Sequence, residues 1–169
     1  WENLQELVLN STEIADNAAA AFASNTSWKN LRTINLSSNY IGDKGANAFG
    51  ANSYWGNLED LDLSNNHISE EGSEAIGQNS GWKNLKKLNL GLNAIGDKGT
   101  AAIAVNVTWN YLEVLDLSFN KISDVGASAL GGNTNWPNLK ILSLELNRIG
   151  DTGASTIVKN STWVNLEEL

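Results

Sequence analysis

The 169-residue sequence has no cysteine, no methionine, one proline and one histidine. Without cysteine there can be no disulfide, no thiol nucleophile and no metal held by thiolates. A single histidine leaves little side-chain chemistry for acid–base catalysis near neutral pH. No apolar run approaches the roughly 20 residues that a membrane-spanning helix needs. We therefore expect no enzymatic activity, no cofactor, no metal site and no membrane insertion.

Positive charge is also scarce, because 11 Lys and Arg stand against 19 Asp and Glu, for a net charge of -8. An acidic surface repels the phosphates of nucleic acids and the headgroups of anionic lipids. We expect no nucleic-acid partner. The composition, 41% hydrophobic and 18% charged, is that of a folded domain rather than a disordered chain.

Seven tryptophans recur at a constant interval of 27 residues, from Trp1 to Trp163. A fixed period of this length is typical of a solenoid, in which each repeat is one supersecondary unit. The period predicts a single domain over residues 1–169, with six full repeats and the start of a seventh. The predicted repeats are 1–27, 28–54, 55–81, 82–108, 109–135 and 136–162, followed by 163–169.

Each repeat predicts one short strand and one short helix. Counted from the tryptophan as position 1, positions 7 and 9 are apolar and alternate with polar or variable positions, as in a strand with one buried face. Asparagine at position 12 is expected to satisfy backbone groups in a turn and to form a ladder between repeats. Asp or Glu at position 16 predicts the N-cap of a helix over positions 17 to 24. Asparagine at position 25 is expected to close that helix in a left-handed conformation.

Repetition of this unit makes all strands parallel and places all helices on the other side of the sheet. Helices are wider than the strand spacing of about 4.8 Å, so the stack must curve. The expected fold class is an α/β solenoid, a curved horseshoe with a parallel sheet on its concave face and short helices on its convex face.

The pattern resembles a known family. The apolar and asparagine positions of the second repeat, Leu31, Ile34, Leu36, Asn39 and Ile41, are similar to those of a leucine-rich repeat of the ribonuclease-inhibitor-like kind. The resemblance covers the whole chain. The tryptophan at position 1 and the slightly shorter repeat depart from the family pattern. The resemblance implies a horseshoe that binds a protein.

A candidate binding site lies at concave positions that depart from the repeat consensus. Position 11 changes from small or polar residues to large apolar ones in the second half, and position 6 changes likewise. A contiguous apolar patch of this kind is typical of an interface. The alternative is that position 11 points sideways and packs against the neighbouring turn. The predicted site comprises an apolar patch of Leu92, Val114, Phe119, Ile141 and Leu146, and an acidic region of Glu59, Asp60, Asp62 and Asp116.

Two functions follow from these features. The first is a non-enzymatic scaffold that binds an unidentified protein partner through the concave face. The second is a structural protein whose uncapped repeats stack end to end into a fibre or surface array, since residues 163–169 match residues 1–7 at five of seven positions. Alternatively, the chain is a segment of a longer repeat region, or its caps lie outside these residues. Charges at position 5 alternate in sign, which indicates either a solvated face or a device that sets the register of stacking.

Overall fold

The computed structural model describes all residues from Trp1 to Leu169. Six strands and six helices alternate along the chain. The strands are β1 (Glu6–Val8), β2 (Thr33–Asn35), β3 (Asp60–Asp62), β4 (Lys87–Asn89), β5 (Val114–Asp116) and β6 (Ile141–Ser143). The helices are α1 (Asp16–Ala23), α2 (Asp43–Ala51), α3 (Glu70–Gly77), α4 (Gly96–Ala104), α5 (Asp124–Gly131) and α6 (Asp151–Ile157).

The strands form one parallel sheet in chain order, β1 to β6. Neighbouring strands pair in register, so that Leu7 faces Ile34 and Leu61 faces Leu88. Each helix packs against the next helix in the chain. The result is an α/β solenoid with the sheet on its concave face and the helices on its convex face, as expected from the sequence.

The core lies between these two layers and consists of leucine, isoleucine and tryptophan side chains. The central residue of every strand is buried, because side chains along a strand alternate between the two faces. Six of the seven tryptophans are buried at the return from helix to strand. Two pairs of adjacent indoles stack, with ring centroids 6.4 Å apart between Trp28 and Trp55 and 6.5 Å apart between Trp136 and Trp163. Burying each large apolar side chain contributes about 2 kcal/mol, and stacking of neighbouring repeats is what buries them.

The predicted asparagine ladder at position 12 is confirmed. Asn66 donates from Nδ2 to the carbonyl oxygens of Leu36 and Leu63, at 3.0 and 3.1 Å. Its Oδ1 accepts from the backbone N–H of Ile41 at 3.0 Å. Because one side chain satisfies groups of two successive repeats, the ladder holds the turns of the stack together.

The predicted capping role of position 16 is wrong. The acidic residue lies inside its own helix, as the first residue in five helices and as the second in α4. In four repeats its carboxylate reaches the start of the next helix. Asp97 Oδ1 accepts from the backbone N–H groups of Ser123 and Gly126, at 2.7 and 2.9 Å, and Oδ2 accepts from Ser123 Oγ at 2.6 Å. Asp16, Asp43 and Asp124 make the equivalent backbone bonds. Position 16 therefore caps the following helix, where unpaired N–H groups need acceptors.

The prediction of a left-handed asparagine at position 25 is also wrong, because none of these residues has a positive φ. They form a second ladder instead. Asn79 donates from Nδ2 to the carbonyl oxygens of Gly50 and Asn52, at 2.9 and 2.7 Å, and accepts at Oδ1 from Trp82 N–H at 3.0 Å. The left-handed residues lie mainly at position 11, immediately before the first ladder.

Candidate functional site

The last two strands carry two residues of the predicted apolar patch, Val114 and Ile141. Val114 on β5 and Ile141 on β6 pair in register and are half-buried, whereas the following residues Leu115 and Leu142 are buried in the core. This alternation turns Val114 and Ile141 away from the core and towards the concave face. The sheet therefore places the two side chains next to each other at the strand spacing.

The turns that follow β4, β5 and β6 carry the rest of the apolar patch. Leu92, Phe119 and Leu146 have 49, 40 and 67% of their surface exposed. The backbone N–H of Leu92 donates to the backbone carbonyl oxygen of Ser118 at 2.9 Å, and that of Phe119 donates to the backbone carbonyl oxygen of Glu145 at 3.0 Å. Adjacent turns thus continue the sheet spacing, and the three predicted residues lie side by side.

All three turn residues have a left-handed backbone, with φ of 56° for Leu92 and 54° for both Phe119 and Leu146. This conformation costs roughly 1–2 kcal/mol for a residue that carries a Cβ, and Asn tolerates it better than Leu or Phe. The first three repeats place Ser11, Ser38 and Asn65 in the same conformation. The composition of position 11 was visible in the sequence, but its backbone strain was not.

Two aspartates of the acidic region lie on the strands at position 8. Asp62 Oδ1 accepts from the N–H and Oγ of Ser64, at 2.9 and 2.6 Å, and Asp116 Oδ1 accepts from Ser118 N–H at 2.9 Å. Their second carboxylate oxygens make no hydrogen bond within the protein. Neither carboxylate forms an ion pair, since the four ion pairs of the chain involve other residues.

Asp60 lies on β3 at position 6, in register with Lys87 of β4. Burial raises the pKa of the Asp60 carboxyl, and the nearby Lys87 ammonium acts in the opposite direction. No cation lies within ion-pair distance of it. The concave face therefore holds three aspartates whose charge is not paired within the chain.

Glu59 behaves differently from the other predicted acidic residues. Its carboxylate forms ion pairs with Arg32 and with Lys86, the latter at 2.7 Å. The hydrogen bond from Lys86 lowers the pKa of Glu59. Glu113 and Lys140 form a similar pair at 2.7 Å. Glu59 thus belongs to a ladder of alternating charges at position 5, and its charge is compensated inside the chain.

Glu145 borders the predicted apolar patch but was not among the site residues predicted from the sequence. It is exposed and lies directly before Leu146, at position 10, where the other repeats have Asn, Ser or Gly. Its departure from the consensus was the signal that could have identified it.

No cluster of His, Asp or Glu side chains could hold a metal ion. None of the helices has the length and apolar character needed to cross a membrane.

Comparison with protein families identifies the repeats. A family model described as "Leucine Rich repeat" matches residues 29–50, 83–104, 107–131 and 137–158. A second model, "Leucine Rich Repeat", matches residues 57–79. Together the matches fall in five of the six strand–helix units and cover more than half of the chain. A search of the curated proteins finds no match.

Solved structures show a similar fold. The crystal structure of an internalin (inlF) from Listeria monocytogenes superposes with a TM-score of 0.64 and 22% sequence identity, over 98% of this chain and 47% of the internalin chain. The TLR13 chain of a TLR13–ssRNA13 complex superposes with a TM-score of 0.58 and 24% identity, over 99% and 21% of the two chains. The chain thus spans about half of the internalin and a fifth of the TLR13 chain. At these identities the likeness concerns the fold alone.

Proposed function

Because this chain belongs to the leucine-rich repeat family, we propose that it is a non-enzymatic scaffold that binds a partner protein through the concave face of its arc. Solenoids of this kind generally use their concave surface for protein binding. The residue inventory supports the proposal, since one histidine and no cysteine leave few of the groups that nucleophilic and general acid–base catalysis most often use.

One observation carries this proposal. Leu92, Phe119 and Leu146 are large, apolar and exposed, and each has a left-handed backbone that Ser or Asn adopts in the other repeats. Apolar exposure and backbone strain both reduce stability, and strained residues cluster at functional sites. Val114 and Ile141 extend the patch onto the strands. Phe119, the least exposed of the three turn residues, is proposed as the anchor.

The organisation of the repeats is part of the same proposal. We assign residues 1–169 to one domain of six full 27-residue repeats and the start of a seventh, of the ribonuclease-inhibitor-like kind. In support, strands pair at a separation of 27 residues, as between Leu7 and Ile34, and an α-helix of seven to nine residues follows every strand.

A display library of random peptides tests the proposed site while the natural partner is unidentified. Binders are selected on the wild-type chain, and their affinity is measured on Phe119→Asn and on a control, Tyr54→Asn. Asn65 of the third repeat stands at position 11, as Phe119 does in the fifth. Asn135 of the fifth repeat stands at position 27, as Tyr54 does in the second. Both variants therefore replace an exposed aromatic residue by one that the repeat itself accommodates.

We expect the selected binders to lose at least tenfold in affinity on Phe119→Asn, because loss of a hot-spot anchor typically costs about 2 kcal/mol or more, and about 1.4 kcal/mol is already tenfold. Tyr54→Asn should bind as the wild type does. Equal binding to both variants would show that the patch is not the site.

End-to-end assembly remains the second candidate function. At the last repeat, an apolar groove is lined by Leu144, Ile149, Ala154, Ile157, Val158 and Leu169. The half-buried apolar residues of the first repeat, Leu4, Leu9 and Ile14, would be its occupants in a second copy. Light scattering over a concentration series tests this candidate. Mass that grows with concentration and returns to monomer in Leu169→Lys would support assembly, and a constant monomer mass would exclude it.

A further inference from the structure

We propose that the partner of the concave face is a basic segment, in which Lys or Arg residues flank an apolar anchor. This inference rests on the proposed function and adds the chemical class of the partner. It follows from the distribution of unpaired charge around the apolar patch.

The strand positions that face the partner are predominantly acidic. Position 6 reads Glu, Thr, Asp, Lys, Val and Ile from β1 to β6, and position 8 reads Val, Asn, Asp, Asn, Asp and Ser. The two rows hold four carboxylates and one ammonium, that of Lys87. Asp116 lies two residues after Val114 on the same strand, so its carboxylate borders the patch directly.

The cations next to these rows are already engaged. At position 5, Arg32 and Lys86 pair with Glu59, and Lys140 pairs with Glu113. By contrast, Asp62 and Asp116 each keep one carboxylate oxygen free of hydrogen bonds. A partner ammonium or guanidinium could therefore bind these oxygens without breaking an existing pair, which gives charge complementarity.

Basic residues on the other side of the patch define the orientation of this segment. Lys121 and Arg148 are exposed and follow Phe119 and Leu146 by two residues, beyond the asparagine ladder. They disfavour a cation on that side through like-charge repulsion. The basic residues of the partner are thus expected at position 8, next to Asp62 and Asp116 and away from Lys87 at position 6, with the apolar anchor at the turn of Phe119.

Three sets of synthetic peptides separate this inference from the proposed function. The first set carries a Leu, Phe or Trp anchor flanked by Lys and Arg. The second has Ser in place of the anchor, and the third has Glu in place of the basic residues. Their dissociation constants are measured by calorimetry on the wild type, on Phe119→Asn and on the double variant Asp62→Asn/Asp116→Asn.

The double variant is designed from the chain itself. Asn35 and Asn89 occupy position 8 in alternate repeats, and their Oδ1 atoms accept the same N–H bonds at 3.0 Å. Asparagine should therefore keep the turns intact while removing two charges. A control, Glu2→Gln/Glu71→Gln, changes the net charge equally at exposed positions off the concave face.

We expect the basic anchored peptides alone to bind. Their affinity should fall about fivefold in the aspartate double variant, because two solvent-exposed ion pairs with the peptide are lost. It should remain unchanged in the glutamate control. If Glu-flanked anchors bind equally well in a Phe119-dependent manner, the basic character is wrong and the proposed function stands. If no peptide set binds, or binding ignores Phe119, both proposals fail.

Discussion

Capping between repeats gives the most specific stability prediction. Asp97 provides three hydrogen bonds to Ser123 and Gly126 of the next helix, whereas Glu70, at the equivalent position of its repeat, makes none to α4. Loss of an N-cap costs about 0.5–2 kcal/mol, and the charge of the Asp97 acceptor places it at the upper end. We expect Asp97→Ala to lower the free energy of unfolding by about 2 kcal/mol.

Glu70→Ala is the matched control. Both residues are acidic and lie in the first turn of a helix, so both variants lose the same favourable interaction with the helix dipole, about 0.5 kcal/mol. Only Asp97→Ala loses the bonds to the next repeat. Asp97→Asn, which keeps a neutral acceptor at Oδ1, is expected between the two.

Urea denaturation followed by tryptophan fluorescence measures these differences, since six buried indoles report on the stack. A loss of similar size in Asp97→Ala and Glu70→Ala would refute the assignment of capping to the following helix. It would indicate that the acidic residues act only on their own helices.

The same cap predicts a pH dependence. Burial acts to raise the pKa of Asp97, but hydrogen bonds from Ser123 and Gly126 outweigh it, so the pKa lies below its ordinary value. A lowered pKa in the folded state means that the contribution is present above about pH 4 and is lost as the pH falls through the folded-state pKa. The stability difference between wild type and Asp97→Ala should therefore shrink in acid. A difference that is constant down to about pH 2, well below the ordinary Asp pKa, would contradict the charged acceptor.

Three further predictions concern other contacts between repeats, each measured by urea denaturation. Asn66→Leu should lose about 3 kcal/mol, because buried backbone groups of two repeats lose their partner; a loss below about 1 kcal/mol would contradict the ladder. Glu113→Gln should lose only about 0.5 kcal/mol, and nothing in about 1 M salt, because its pair with Lys140 is exposed; a salt-independent loss would be unexpected. Gly126→Ala should lower the free energy of unfolding by about 2 kcal/mol, since a Cβ there would lie 2.7 Å from Asp97 Oδ1. Gly132→Ala should leave it unchanged, because its Cβ would lie 3.5 Å from the nearest atom, the carbonyl oxygen of Ala129. Equal effects of the two substitutions would contradict close packing at the cap.

Periodicity explains why the fold was predictable from the sequence. The 27-residue interval and the apolar alternation at positions 7 and 9 predicted a short strand there in each repeat, and β3 at Asp60–Asp62 occupies positions 6 to 8. Repeated placement of Asn at position 12 indicated a ladder, because a buried amide needs partners in every copy. Helix α2 begins at Asp43, one residue before the predicted start.

The features that sequence reasoning missed depend on contacts between repeats. The groups capped by Asp97 lie 26 and 29 residues further along the chain, so no local capping rule identifies them. The left-handed backbone at position 11 was not predicted, because Leu92, Phe119 and Leu146 are residue types that rarely adopt it. Only Asn65, in the third repeat, is a type that favours this conformation. By contrast, the alternating charges at position 5 already indicated that Glu59 has a cation on each side, and Arg32 and Lys86 form those ion pairs.

The most direct test of the account locates a bound peptide on the protein. A selected binder is titrated into ¹⁵N-labelled protein, and the backbone amide shifts are followed by NMR. We predict that the largest changes lie at Leu92, Phe119 and Leu146 and on strands β4 to β6, with little change in the helices. Shifts centred on the convex helices, or spread evenly over the chain, would contradict a binding site on the concave face.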